Sequence, residues 1–118
     1  MKIVQLTVDD VEWVVEAEQD DLPVRGNAIA SGDDEVDKRV EDEIIERLEN
    51  GDVWAWASVC VRGRFKGLEA TTYLGGCCYR DEDEFCQAGG YFDDMQKDVL
   101  SDLQDQLEEL VEAAINGL

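Results

Sequence analysis

Cys60, Cys77, Cys78 and Cys86 carry the only thiols of this chain, and it has no histidine to activate them. A cysteine nucleophile needs an imidazole or cationic neighbour to lower its pKa, whereas carboxylates such as Asp81, Glu82, Asp83 and Glu84, just before Cys86, raise it. The missing imidazole also removes serine–histidine hydrolysis and histidine acid–base catalysis. The four thiols show no Cys-x-x-Cys spacing and read as free, buried cysteines; an all-cysteine zinc site is the weaker alternative. Among thirty acids, a pair at glycosidase separation is expected by chance. The acidic run 81–84 lacks the sixth-position glycine and twelfth-position glutamate of a calcium loop. Gly89-Gly90 opens a helix as phosphate loops do, but Asp93 and Asp94 follow at once and would repel an anion. The expectation is a non-enzymatic protein with no catalytic residue, metal or cofactor.

What remains is charge. Thirty acidic residues against ten basic ones leave −20 on 118 residues. Solubility of a small domain asks for roughly 2–8. Such a chain repels nucleic acid and anionic membranes and attracts basic proteins and cations. With 44% hydrophobic residues it can build one modest core, so residues 1–118 are expected to form a single domain. No apolar stretch approaches 18 residues and Met1–Asp10 does not read as a signal peptide, so the chain reads as cytoplasmic.

Periodicity supplies the elements that must position these charges. Val4, Leu6 and Val8, then Val11, Trp13, Val15 and Ala17, alternate with period two and predict two strands turning at Asp9-Asp10. A helix capped by Thr7, with Asp10 three residues on, is the rival reading. Residues 19–32 read as a loop. A helix follows over 33–49, with Val36, Val40, Ile44 and Leu48 on one stripe, Ser31 or Asp33 as its cap and Asn50-Gly51 as its stop. The valines and aromatics of 53–74 predict a hairpin turning at Lys66-Gly67. That turn sets Phe65 opposite Leu68, Arg64 opposite Glu69, Arg62 opposite Thr71 and Cys60 opposite Tyr73. Residues 75–90 read as irregular, and a second helix runs over 91–115 with Phe92, Met95, Val99, Leu103, Leu107, Leu110 and Ala114 inward. The expected fold is α+β: two layers, an antiparallel four-stranded sheet in ββαββα order, and two helices packed on one face.

Two surfaces then stand out. The helices carry Asp34, Asp37 and Glu41, and Asp98, Asp102, Asp105, Glu109 and Glu112; the second group sits away from the apolar stripe. At ~1.5 Å per residue, nine acids on the first helix give one per roughly 3 Å, within a factor of two of duplex DNA. Glu35–Arg39 and Glu43–Arg47 are expected to pair at i,i+4 and neutralise part of that field. The other surface is the second sheet face, where Trp54, Trp56, Arg62, Arg64 and Tyr73 would form an aromatic and basic interface. Stacking of single-stranded nucleic acid there is opposed by the net charge; the N-terminal strands or a second subunit would cover it.

Val24-Arg25-Gly26-Asn27-Ala28-Ile29-Ala30-Ser31-Gly32-Asp33-Asp34, Trp54-Ala55-Trp56 and Gly89-Gly90-Tyr91-Phe92-Asp93-Asp94-Met95 together resemble a family of small acidic, uncharacterised proteins of tailed phages and prophages. The family transfers no catalytic residue. It implies a phage accessory factor, of the kind that disarms host defences by occupying a nucleic-acid groove. The sequence therefore points to a protein that binds a basic host protein through its acidic helices, as a nucleic-acid mimic. The alternative is a structural or assembly module, a homodimer through the aromatic sheet face, its acidity serving solubility or salt adaptation.

Overall fold

The computed structural model describes residues 4–87 and 89–117. Lys66 and Gly67 both take positive φ (45° and 84°), the left-handed pair of a type I′ turn that matches strand twist. This turn joins β2 (Ala57–Phe65) to β3 (Leu68–Cys77). The register follows the expectation residue for residue: Phe65 faces Leu68, Arg64 faces Glu69, Arg62 faces Thr71 and Cys60 faces Tyr73. Beyond Val59–Leu74 the ladder slips, so that Ala57 meets Cys77. Gly76, at φ 65°, lies within that irregularity.

β1 (Glu12–Gln19) pairs antiparallel with the other side of β2, giving a three-stranded sheet in the order β1-β2-β3. Among the described residues the sheet has three strands, and the expected fourth does not form there. Val8–Asp10 forms a single 3-10 turn, and the segment before it is irregular; residues 2 and 3 of the expected strand lie outside the described residues. The reason is local: Asp10 Oδ2 accepts from both the backbone N–H and the hydroxyl of Thr7, at 2.9 and 3.1 Å, and closes a capping box. Leu6 still reaches the core, and Gln104 holds the segment by accepting from Leu6 N and donating to Val4 O.

The helices do not share one face. α1 (Asp34–Glu49) is capped by Asp33, whose carboxylate accepts from Glu35 N and Val36 N. Its Val40, Ile44, Ile45 and Leu48 pack with Val24, Ala55 and Trp56, on the Val53–Ala55 turn that precedes β2, beyond the end of the sheet. A four-residue helix, α2 (Glu82–Phe85), interrupts the expected loop and drives Phe85 into the core, 5.2–5.9 Å from the rings of Trp54, Tyr79 and Phe92. Only the long α3 (Tyr91–Asn116) lies along the sheet, against β2 and β3, burying Met95, Val99 and Leu103. Its last turns run past the hairpin tip while α1 sits at the opposite end. The chain accordingly measures 66 × 24 × 24 Å with a radius of gyration of 18.8 Å. A compact chain of this length would have about 13–14 Å.

The seat of α3 is Gly63. A β-carbon there would stand 2.7 Å from Val99 Cγ1 and 2.9 Å from Val11 Cγ1, inside van der Waals contact. Gly63→Ala is expected to lower unfolding free energy by about 1–3 kcal/mol, the cost of overpacking, as read from denaturant midpoints.

Candidate binding surface

An α-helix turns ~100° per residue, so steps of three and four keep side chains on one line. Asp94, Asp98, Asp102, Asp105, Glu109 and Glu112 follow steps of 4, 4, 3, 4 and 3. They fall within about 80° of arc and span about 27 Å of the axis. All six are exposed, on a face of α3 about a quarter turn round from Met95, Val99 and Leu103. No ion pair reaches any of them among the described residues, and Asp102 alone takes a side-chain hydrogen bond, from Gln106 at 3.3 Å. Like charges at these spacings cost about 0.2–0.5 kcal/mol per pair. Glu109 and Glu112 also sit toward the helix C-terminus, the wrong end for the dipole, with no basic residue in the last turn. Asp94, in the first turn, is favoured by the dipole, and the burden on folding falls on the rest of the row. Asp94 escaped the sequence reading, although the four-residue step back from Asp98 points to it.

The α1 acids are used differently. Asp34 is exposed, but Asp37 Oδ1 accepts from the backbone N–H of Ser31 and from its hydroxyl. Glu41 is buried at 8% exposure: Oε2 accepts from Gly26 N at 2.6 Å and Oε1 lies 3.4 Å from Arg25 Nη1, while Arg25 also pairs with Asp42. These contacts clamp the 24–28 loop to the helix, so Glu41 and Asp37 face inward to the chain rather than out to a partner. Neither expected i,i+4 pair forms among the described residues. Arg47 turns instead to Asp52 Oδ2 (2.8 Å) and donates to Tyr79 O (2.6 Å), tying α1 to the chain beyond β3.

The aromatic face is dismantled by the turn at 53–55. Because β2 starts only at Ala57, Trp54 and Trp56 do not continue the strand alternation. Trp56 is 4% exposed, its indole N–H donating to Leu22 O at 2.7 Å, and Trp54 packs on Phe85. Arg62, Arg64 and Tyr73 do share the outer sheet face. There Glu69 pairs with Arg64 at 3.0 Å and lies 3.1 Å from Arg62 Nε, close but off the donor axis. Glu16 is 3.5 Å from Arg62 Nη1. A shallow depression of about 220 Å³ is lined by Glu16, Glu18, Ser58, Cys60, Arg62 and Tyr73. Its one arginine is already matched by carboxylates.

Cys60 and Cys77 are buried, Cys86 is half-buried and Cys78 is exposed. Cys77 Sγ donates to Leu74 O at 3.4 Å, and burial, assisted by Asp20 and Cys78, pushes its thiol up to about 11. Burial first, then Glu82 and Asp83, raise Cys86. Asp20 moves the other way: backbone N–H groups of Leu22 and Gly76 donate to its carboxylate and hold it below the usual range. Among the described residues no three Cys, Asp or Glu side chains converge on a metal-sized point, and no helix is long and apolar enough to cross a membrane.

Comparison with protein-family models, with curated proteins and with solved structures finds no match to this chain. The meaning of the surface therefore rests on its own geometry.

The two classes of acid separate experimentally. Glu41→Ala strands the Gly26 N–H, while Arg25 keeps Asp42, and should destabilise by about 1–3 kcal/mol. Asp98→Asn with Glu109→Gln should leave stability unchanged or raise it, because like-charge contacts disappear; thermal melts of both variants decide this. For Cys77 the neutral thiol is the form that folding favours. Stability is then complete below the ordinary thiol value of 9.0 and is lost as pH rises toward 11. Cys77→Ala should flatten that part of the stability–pH curve.

Proposed function

We propose that this chain is a non-enzymatic binding protein that presents the α3 carboxylate row to a basic protein in place of a phosphate backbone. One observation carries the reading: six exposed carboxylates aligned over about 27 Å on one helix face, without an ion pair among the described residues, and repelling one another along the helix that bears them. A solubilising surface has no need of alignment; scattered charges of both signs serve it as well. The spacing, about 5.4 Å per carboxylate, is within a factor of two of the ~3.4 Å between charges along one DNA strand. Asp34 at the start of α1 adds to the field, while Asp37 and Glu41 serve the fold.

The resemblance to small acidic phage proteins supports a setting in the host cytoplasm and a host nucleic-acid-handling protein as the partner, bound as an anti-defence factor would bind it. The rival assembly role for the sheet face loses Trp56 to the core and Trp54 to packing against Phe85, and keeps only Tyr73 as an exposed aromatic.

Capture from nuclease-treated bacterial lysate, eluted in salt steps, tests the reading. A basic partner should elute at moderate salt, be displaced by a DNA duplex of about ten base pairs, and be lost to the variant Asp98→Asn, Asp105→Asn, Glu109→Gln. Equal capture by that variant would refute the row as the site.

A further inference from the structure

The body of the protein holds α3 as far as Leu107. Gln104 is bonded to Val4 and Leu6, Gln106 donates to Glu69 O at 3.0 Å, and Leu107 is the last α3 residue packed on a core cluster. Beyond it the helix continues to Asn116 with Leu110, on its apolar side, 58% exposed and Ala114, one turn on, exposed as well. Helical turns without tertiary packing are marginal in water, so the projecting turns gain from a partner along their apolar stripe.

The pattern of the projection specifies what completes it. Leu103, Leu107, Leu110, Ala114 and Gly117 follow the 4-3-4-3 spacing of a coiled-coil seam. The positions beside the seam, which set partner choice by charge, are Gln104, Gln106, Val111 and Ala113. None is charged. Asp105, Glu108, Glu109 and Glu112 occupy the positions that point away from a partner. A basic helix seated on this seam would find no flanking carboxylate to pair with. A second copy would meet no like charge across it, although each copy carries −20.

We propose that the projecting end of α3 is a self-association site whose occupant is the same segment of a second copy, packed antiparallel. In that arrangement Leu110 lies across from Ala114 and Leu107 across from Gly117, large against small, and Leu103 stays with its own core. A parallel pair would set Leu110 on Leu110 and Gly117 on Gly117, and would bring two highly charged bodies side by side. The antiparallel register overlaps the whole projection of each copy and places the bodies at opposite ends, with the carboxylate rows facing outward. A seam of three turns falls well short of the ~1,600 Å² of a standard interface, so the pair is weak and concentration-dependent.

This site is independent of the row's proposed partner, and sedimentation velocity on the full chain from micromolar to near-millimolar concentration tests it. A reversible monomer–dimer equilibrium is expected that survives 0.5 M salt, because the seam is apolar. Leu110→Glu should weaken it at least ~10-fold, on the scale of losing one well-buried anchor. Tyr73→Ala, on the outer sheet face, should leave it unchanged. Leu110 is more than half exposed, so an unchanged melting temperature would show that the variant folds. A monomer at every concentration, or a dimer indifferent to Leu110→Glu or abolished by Tyr73→Ala, overturns the proposal.

Discussion

The close approach of α3 to β2 at Gly63 is the contact on which the rest of the molecule depends. Val99 fits there only because the strand offers no β-carbon, and with Val99 and Leu103 fully buried the rotation of the helix about its axis is fixed. That one angle decides everything else about α3. It sends Met95 toward Phe85 and the aromatic end of the core, and it turns the six carboxylates to water. A helix rolled by a quarter turn would bury acids with no basic residue near enough to compensate them.

Burial and charge are thus divided between two sides of one helix, and the two acidic helices solve different problems. On α1, Asp33, Asp37 and Glu41 act as internal connectors: they cap the helix, hold Ser31, and bind a loop whose backbone has no strand or helix partners of its own. On α3 the six aligned acids reach no group outside the helix among the described residues, and the apolar stripe supplies the stability that their mutual repulsion subtracts. Acidity alone does not distinguish these cases. What distinguishes them is whether the oxygen atoms have donors within reach.

Much of the fold was legible in sequence because periodicity and turn chemistry are local. Lys66-Gly67 fixed a register that the structure follows, Asn50-Gly51 ended α1, and the long stripe of α3 gave its bounds to within a residue. The errors share a physical origin. Trp54 and Trp56 look like strand residues by propensity, yet the bond from the Trp56 indole to Leu22 O joins positions thirty-four apart, and no window of sequence contains it. The N-terminal strand was lost to a competing local signal, the Thr7–Asp10 box, which was visible but weighed less than the alternation of Val4, Leu6 and Val8. Phe85 was hidden in an acidic run whose composition spoke for a loop. The separation of structural from outward acids was not legible at all, since it depends on the 24–28 loop folding back over α1.

The projection of α3 past the hairpin also bears on how the proposed basic partner would arrive. No lysine or arginine follows Lys97, so the far end of a 66 Å molecule is a source of negative potential without local cancellation. Charges are screened over roughly 8 Å at physiological ionic strength, which leaves such a tip standing clear of the counter-charges that Arg25, Arg47, Arg62 and Arg64 supply nearer the body. A cationic surface diffusing nearby would therefore be drawn to one end and turned before contact. The asymmetry acts on encounter, raising association rates and fixing the direction of approach, and it does so without a single additional bond in the final complex.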